Sequence, residues 1–388
     1  MSFDGLWSTL APIGAAPSGG YRRYAWTDSD SVLREWFAAE AAARGLDLVR
    51  DRAGNLWAWW GTPSAVRPGV VVGSHLDSVP DGGAYDGPLG VVSAFCALDL
   101  LRARGFRPGR PVGVACFGDE EGARFGVACA GSKLLTGALP ADRGLGLTDG
   151  DGISMAAAMR SAGLAPEAVG RDDEALARIG AFVELHVEQG RGLVELERPV
   201  AVGSSIWPHG RWRLDLAGEA NHAGTTRLAD RRDPMLDLAV AITAARSAAE
   251  SRGGVATVGK VTVAPNGVNA IPSRVTAWLD ARGPAAGAVA ADVGAAAGVE
   301  PVQESFTDST SFDAALVRRL SGLLGEAPVL GTGAGHDAGI LAGAGIPAAM
   351  LFVRNPTGVS HSPAEHAERD DCLAGIDALA LVLQDLAS

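Results

Sequence analysis

Three short apolar runs in the first half of the chain are each followed by a group of polar residues. The first is Val70–Val72, the second covers 111–117, and the third begins at Ala181. Runs of this length that are rich in β-branched and other apolar residues predict buried strands. The polar groups GSHLD, GDEEG and HVEQG then lie at the carboxyl ends of strands, where open α/β sheets bind their ligands.

The stretches around these runs have helical periodicity. Residues 28–44 predict an amphipathic helix that stops at Gly45, and residues 88–104 predict a second helix with Pro88 in its first turn. Two further strands are expected at 46–50 and 56–60. A strand, a helix and another strand in this order form a βαβ unit, so the sheet is expected to be mostly parallel.

The pattern changes from about residue 205 onward. Apolar and polar residues alternate here, which predicts strands of a half-buried antiparallel sheet. The predicted elements are strands at 211–216, 255–263 and 275–280 and helices at 234–250 and 285–298. Together they are typical of a compact α+β insert.

From about residue 309 the first pattern returns, with strands, loops and a terminal helix. We therefore predict an α/β fold in two domains. A catalytic domain with a mostly parallel sheet is formed by 1–205 and 309–388, and an α+β domain is inserted at 206–308. A chain of 388 residues is longer than one hydrophobic core usually supports, which agrees with this division.

Charge and composition exclude several classes of protein. The formal net charge of -12 argues against nucleic acid or an anionic membrane as the partner. No apolar run is long enough to span a bilayer, and the N-terminal residues lack a signal-peptide pattern, so a cytoplasmic location is expected. The four cysteines form no C-x-x-C pair and are expected to be free thiols.

Histidine and carboxylate side chains collect at the predicted strand ends. They are His75, Asp77, Asp86, Glu120, Glu121, His186 and His361. Carboxylates that converge with neutral imidazoles, without Lys or Arg, are costly to desolvate, and a pair of divalent cations removes that cost. Imidazole and carboxylate ligands favour zinc, with manganese or cobalt as alternatives.

Two of these positions suggest specific roles. Asp86 can bridge two metal ions because a carboxylate has two oxygens. One of the adjacent Glu120 and Glu121 can bind a metal while the other takes a proton from a water molecule. The structural alternative makes Asp86 a turn residue of an Asp-Gly pair and His75 the polar end of a strand.

Six ordered motifs carry a resemblance to a known family. They are GSHLDSVPDGGAYDG, GDEEGARFG, ELHVEQG, ANHAGTT, GAGHDA and GVSHSPAEH. Together they resemble the amidase/hydantoinase/carbamoylase family of dinuclear metallo-amidohydrolases, which is related to aminoacylases and carboxypeptidases. The resemblance covers nearly the whole chain.

The resemblance implies a role for each residue at the strand ends. His75, Asp86 and His186 are expected to bind one metal ion. Asp86, Glu121 and His361 are expected to bind the other, with Glu120 as the general base. Asp77 is expected to orient His75 by accepting the proton of its second ring nitrogen.

The inserted domain is implied to be a lid and a dimerisation domain, so a homodimer is expected. The implied substrate-binding residues are Gln189, His222, Asn269 and Arg282. A small anionic ureido or carbamoyl substrate needs a directional cation, which the guanidinium of Arg282 provides, and His222 can stabilise a negatively charged oxygen. The alternatives are a surface ion pair for Arg282 and a turn role for His222, while His336 is expected to support the metal site without binding metal.

The function expected from the resemblance is hydrolysis of the carbamoyl C–N bond of N-carbamoyl-L-amino acids to an L-amino acid, carbon dioxide and ammonia. An allantoate or ureidoglycolate amidohydrolase is the nearest alternative, because only the substrate pocket would differ. An aminoacylase or dipeptidase is disfavoured by His186, where many peptidase relatives carry an acidic residue. A protein that binds metal without catalysis is disfavoured because Glu120 stands beside Glu121.

Overall fold

The computed structural model describes residues 2–388 of the chain. It divides into two compact units. The first extends to Ser205 and resumes over Ser311–Ser388, and the second is Ile206–Thr310. Among the described residues, no helix is both long and apolar enough to cross a membrane.

The first unit begins with alternating helices and strands. In chain order they are α1 (Phe3–Leu10), α2 (Asp28–Ala43), β1 (Asp47–Arg50), β2 (Leu56–Trp60), β3 (Gly69–His75), α3 (Pro88–Ala103), β4 (Val112–Phe117), α4 (Ala130–Thr136), α5 (Ala141–Leu145), α6 (Met155–Ser161), α7 (Asp173–Ala177), β5 (Ile179–Val187), α8 (Gly192–Glu195) and β6 (Val200–Ile206), with a 3-10 turn at Pro166–Ala168.

The second unit and the return to the first follow in the chain. The second unit contains β7 (His209–Ala217), β8 (Asn221–His222), a 3-10 turn at Leu228–Asp230, α9 (Pro234–Ser251), β9 (Val255–Ala264), β10 (Ala270–Ile271), β11 (Arg274–Arg282), α10 (Ala286–Ala297) and β12 (Val302–Thr307). The chain then forms β13 (Thr310–Ser311), α11 (Ala314–Leu323), β14 (Val329–Thr332), α12 (Asp337–Gly343), β15 (Ala348–Val353) and α13 (Arg369–Leu386).

The large sheet has the order β1-β2-β4-β3-β5-β15-β6-β13, and β14 pairs with β6. Its centre is parallel, because β3 pairs with β4 and β5, and β5 pairs with β15, all in the parallel sense. The pairs β1–β2, β2–β4 and β15–β6 are antiparallel. The predicted α/β fold with a mostly parallel sheet is therefore confirmed, and the carboxyl ends of four neighbouring strands share one edge.

The parallel centre is almost entirely buried because helices cover it. Every residue of β3, β4 and β15 is buried, and the apolar residues of α3 are buried along most of the helix. Gly90 lies in the first turn of α3, where a Cβ atom would come within 2.2 Å of the carbonyl oxygen of Leu185 in β5. The absence of a side chain at this position lets α3 pack directly on the backbone of the sheet.

The second unit is a two-layer α+β structure. Its antiparallel sheet has the order β12-β7-β11-β9, and alternate residues of β7 and β11 are buried. Helices α9 and α10 pack on the buried face in one core, whose members include Leu214, Leu216, Leu238, Leu279 and Val293. The strand β12 escaped prediction because all six of its residues are exposed, so it carries no apolar alternation.

We expect Gly90→Ala to lower the free energy of unfolding by about 1–3 kcal/mol, since the added methyl group overpacks the contact between α3 and β5. The midpoint of urea unfolding measures the effect. Gly343→Ala is the matched control, because Gly343 is also helical and a Cβ atom there meets nothing within 4 Å. An equal response of the two variants would contradict the packing argument.

Candidate metal centre

The residues predicted to bind metal all lie at the carboxyl edge of the large sheet. His75 is the last residue of β3, His186 lies near the end of β5, and Glu121 follows β4. His361 is in the loop between β15 and α13, and Asp86 is in the loop that leads into α3. Parallel strands bring these distant positions together because their ends face the same way.

A first group consists of His75, Asp86 and His186, all of which are buried. Their ligand atoms all lie within 4.8 Å of one another. The Oδ1 atom of Asp86 is 3.5 Å from Nε2 of His75 and 3.1 Å from Nε2 of His186. One carboxylate oxygen therefore faces both imidazoles.

A second group consists of Asp86, Glu121 and His361, again with ligand atoms within 4.8 Å of one another. Nε2 of His361 is 3.6 Å from Oδ2 of Asp86 and 3.6 Å from Oε2 of Glu121. Asp86 thus presents one oxygen to each group, which is the arrangement expected of a bridging ligand.

The chemistry of these groups fits a divalent cation. Neither Nε2 of His75 nor Nε2 of His186 makes a hydrogen bond, although both atoms are buried. A buried imidazole nitrogen without a partner is unfavourable unless a proton or a metal ion occupies its lone pair. The residues present are therefore suited to hold metal.

The charges of the cluster lead to the same conclusion. Burial raises the pKa of Glu121 to about 8, and the nearby Asp86 adds to that rise. Burial also disfavours the charged form of Asp86, but His186 and His75 hold the pKa of Asp86 well below its ordinary value. The buried carboxylates therefore need positive charge nearby, which a divalent cation would supply.

The loop that carries Asp86 is fixed from two sides. Gly87 has a φ of 83°, and a Cβ atom there would lie 2.4 Å from Cε1 of His75, so only glycine allows this approach. Glu365 accepts hydrogen bonds from the backbone N–H groups of Tyr85 (2.8 Å) and Asp86 (2.9 Å). Glu365 lies in the GVSHSPAEH motif, but nothing in the sequence alone assigned it this role.

Glu120 belongs to neither ligand group. Its Oε2 atom lies 3.7 Å from Nε2 of His75, and burial raises the pKa of its carboxyl group well above the ordinary value. The Sγ atom of Cys129 donates a hydrogen bond to Oε1 of Glu120 at 3.2 Å, and the backbone N–H of Cys129 donates to the carbonyl of Glu120 at 2.5 Å. Cys129 therefore holds both the backbone and the carboxylate of Glu120.

Cys129 is a second residue that the sequence analysis missed. The thiol is buried, and burial together with Glu120 raises its pKa well above the ordinary value, so it remains a neutral donor.

Asn55 is a third residue that the sequence analysis missed. Its side chain accepts a hydrogen bond from the N–H of Gly118 and donates one to the carbonyl of Gly131. Asn55 thereby ties the loop after β4 to the start of α4.

Asp77 lies beside His75 but acts mainly on the neighbouring loop. Its two carboxylate oxygens accept the backbone N–H groups of Glu120 (3.2 Å) and Glu121 (3.0 Å). Nδ1 of His75 lies 3.4 Å from Oδ1 of Asp77 and contacts the carbonyl oxygen of Asp77 at 3.2 Å. The expected orientation of His75 by Asp77 thus involves the backbone as well as the carboxylate.

Gln189 lies against the second group. Its Nε2 atom donates to Oδ2 of Asp86 at 2.8 Å and to Oγ of Ser360 at 3.2 Å. The structure therefore brings Gln189 to the shared aspartate.

His336 was predicted to support the metal site without binding metal. It is buried, its ring centroid lies 4.5 Å from that of His186, and it is in neither ligand group.

The other predicted substrate-binding residues lie in the second unit. His222 and Asn269 are neighbours there, since Ala270 pairs with His222 and the N–H of Ala223 donates to the carbonyl of Asn269. Arg282 ends β11, and its Nε atom donates to Oδ1 of Asp280 at 2.8 Å. Their substrate-binding roles stay predictions.

Comparison with known proteins identifies relatives over nearly the full chain. The model of Peptidase family M20/M25/M40 matches residues 71–385. The N-carbamoyl-L-amino acid amidohydrolase of Geobacillus stearothermophilus is 36% identical over 96% of this chain and 96% of that protein. The allantoate amidohydrolase of Escherichia coli (strain K12) is 32% identical over 97% of this chain and 96% of that protein.

A solved structure agrees with these relatives. The crystal structure of an amidase of the hydantoinase/carbamoylase family from Burkholderia multivorans superposes with a TM-score of 0.86. That protein is 30% identical to this chain, and the match covers 100% of this chain and 98% of the other.

The fold, the site and the relatives together define the class, a hydrolase whose histidine and carboxylate groups are suited to a divalent metal. The chain belongs to Peptidase family M20/M25/M40. The predicted resemblance to the hydantoinase/carbamoylase proteins is confirmed. The expected enzyme class is confirmed too, since the relatives are named amidohydrolases.

We expect Cys129→Ala to lower kcat on the order of tenfold with little change in KM, because the carboxylate of Glu120 loses a hydrogen-bond donor. Cys129→Ser keeps a donor of similar size and should recover most of the rate. Steady-state kinetics and metal content measured on both variants provide the test. Identical rates for the alanine and serine variants would show that the thiol does not position Glu120.

Proposed function

We propose that this protein is a metal-dependent amidohydrolase that cleaves the carbamoyl C–N bond of N-carbamoyl-L-amino acids. The products are an L-amino acid, carbon dioxide and ammonia. The observation that carries the proposal is the pair of ligand groups that share Asp86, with Glu120 close by but outside both. The similarity to the Geobacillus stearothermophilus protein supports the substrate class.

Two divalent cations are part of the proposal. His75, Asp86 and His186 would hold one, and Asp86, Glu121 and His361 the other. Zinc suits imidazole and carboxylate ligands best, with manganese or cobalt as alternatives. When bound, the cations would polarise the substrate carbonyl and lower the pKa of water.

Glu120 is the group proposed to move the proton. Its carboxylate takes a proton from the attacking water and delivers it to the departing nitrogen. Burial raises the pKa of this carboxyl group well above its ordinary value, which strengthens it as an acceptor of the water proton. The contact with Cys129 keeps the carboxylate oriented during both transfers.

Substrate recognition is assigned to Gln189, His222, Asn269 and Arg282. The guanidinium of Arg282 would bind the substrate carboxylate in a directional pair. His222 would stabilise the negatively charged oxygen that forms on the attacked carbon. Gln189 and Asn269 would orient the amide groups of the substrate.

Allantoate is the second candidate substrate. The Escherichia coli allantoate amidohydrolase is nearly as similar to this chain as the carbamoylase, at 32% against 36% identity. Allantoate is also a ureido acid with a carboxylate, so the same ligand groups and the same base would serve. The substrate pocket, and not the metal centre, decides between the two.

We expect the protein reconstituted with zinc, manganese or cobalt to release ammonia from N-carbamoyl-L-amino acids. Allantoate is assayed in parallel for ammonia, N-acetyl-L-amino acids are assayed for release of the free amino acid, and N-carbamoyl amino acid amides test the need for a free carboxylate. Ammonia from allantoate alone would select the second candidate. Metal binding with no turnover of any ureido compound would contradict the proposal.

Glu120→Gln is the matched control for this assay. The substitution preserves shape and lies outside both ligand groups, so metal content should remain the same. The rate should fall by a factor on the order of 10² or more, because glutamine cannot transfer the proton. An unchanged rate would remove Glu120 as the base while leaving the substrate assignment open to test.

A homodimer through the inserted unit is also proposed. Leu236 and Val240 are exposed one turn apart on α9, and Val255 is exposed on β9, one of the two edge strands of the antiparallel sheet. Exposed apolar residues next to an edge strand are typical of an interface. Light scattering should give twice the monomer mass, and the mass of Leu236→Asp should be that of a monomer. A monomeric parent protein would contradict the proposal.

A further inference from the structure

A crevice of about 560 Å³ lies in the first unit, away from the candidate metal centre. Its lining includes Trp60 at the end of β2 and Pro111 just before β4. The metal ligands follow the opposite, carboxyl end of β4, so the two sites lie at opposite edges of the sheet. This volume is within the range of pockets that bind small molecules.

The lining is unusually basic for a chain with a net charge of -12. Four arginines contribute to it and no Asp or Glu does. They are Arg67, Arg102, Arg107 and Arg110. Among the described residues, none of these guanidinium groups has a carboxylate within ion-pair distance, whereas many other arginines of the chain do. The crevice therefore carries a local excess of positive charge, which Asp99 offsets only in part beside Arg102.

Three of the four side chains are held in place by neutral groups. Arg67 donates to the carbonyl of Gly109 at 2.6 Å, and Arg110 donates to the carbonyl of Pro68 at 2.9 Å. Arg102 lies over the ring of Trp60, 4.6 Å from its centroid. A guanidinium group has five N–H donors, so each retains donors for another partner.

The partly buried position of Arg102 disfavours the positive charge of its guanidinium group. Burial lowers the pKa of its guanidinium group, with Arg44 adding to the effect and Asp99 opposing it. Asp99 is already engaged by two hydrogen bonds from Arg44. An anion in the crevice would offset the unfavourable charge and use the remaining donors.

We propose that this crevice binds a small polyanion that carries phosphate or carboxylate groups. Paired donors on guanidinium groups match the oxygens of both anions. Four cationic side chains around one cavity favour a multiply charged ligand over a single inorganic anion. This binding is independent of the hydrolysis proposed above, because no residue of the metal centre lines the crevice.

The test is isothermal titration of the metal-loaded protein with pyrophosphate, citrate, ADP and adenosine. Pyrophosphate, citrate or ADP should bind saturably and more weakly as salt is raised, and adenosine should not bind. The relative affinities for pyrophosphate, citrate and ADP show whether the crevice prefers phosphate or carboxylate groups.

The variant for this test is the double substitution Arg67→Ser and Arg107→Ser. It should weaken binding by at least about tenfold, because two charged donors are lost, and leave hydrolysis unchanged. The matched control is Arg104→Ser with Arg160→Ser. These two exposed arginines pair with Asp377 and Glu167, they do not line the crevice, and their removal changes the net charge equally.

Three results would overturn the proposal. One is the absence of saturable binding by any of the three anions. Another is equal weakening in the control variant, which would mean that net charge alone is responsible. The third is binding that persists unchanged in the Arg67 and Arg107 variant, which would mean that these arginines do not bind the anion.

Discussion

The two oxygens of Asp86 face two different sets of ligands, and the rest of the candidate centre depends on that geometry. Oδ1 lies between the imidazoles of His75 and His186, and Oδ2 faces His361. Glu365 fixes the loop that carries Asp86, because its carboxylate accepts hydrogen bonds from two backbone N–H groups of that loop. A shift of this one side chain would separate the two groups of ligands, since no other residue belongs to both.

The sheet supplies this geometry through strand direction. β4, β3, β5 and β15 run in parallel, so the loops after all four strands meet at one edge. The buried centre of the sheet cannot shift without exposing apolar residues, which makes the strand ends rigid supports for polar side chains. The candidate ligands therefore lie at strand ends or on the loops that follow them, and the core fixes their positions.

A cluster of buried acids is stable only when each member has a partner. Asp77 accepts hydrogen bonds from two backbone N–H groups. Glu184 in β5 accepts one from the hydroxyl of Ser74 and one from the backbone N–H of Ala338. The carboxylate of Glu120 accepts a hydrogen bond from the thiol of Cys129. The buried Nε2 atoms of His75 and His186 have no hydrogen-bond partner, and both face the place where a cation fits.

The sequence by itself predicted the classes of element and the candidate ligand residues. Apolar runs before GSHLD and GDEEG predicted β3 and β4, and the alternation after residue 205 predicted the inserted α+β unit, because local patterns of burial repeat with the period of each element. The motifs also singled out His75, Asp86, Glu121, His186 and His361, which the structure brings together.

Only the tertiary structure decided which residues support the ligands. Cys129, Asn55 and Glu365 carry no recognisable local signal, since a thiol, an amide or a carboxylate acquires such a role only through a partner distant in sequence. The basic crevice was missed for the same reason, whereas β12 was missed because its exposed residues carry no apolar alternation. Periodicity reports burial along one segment, whereas a hydrogen bond or a cavity depends on how separate segments pack against one another.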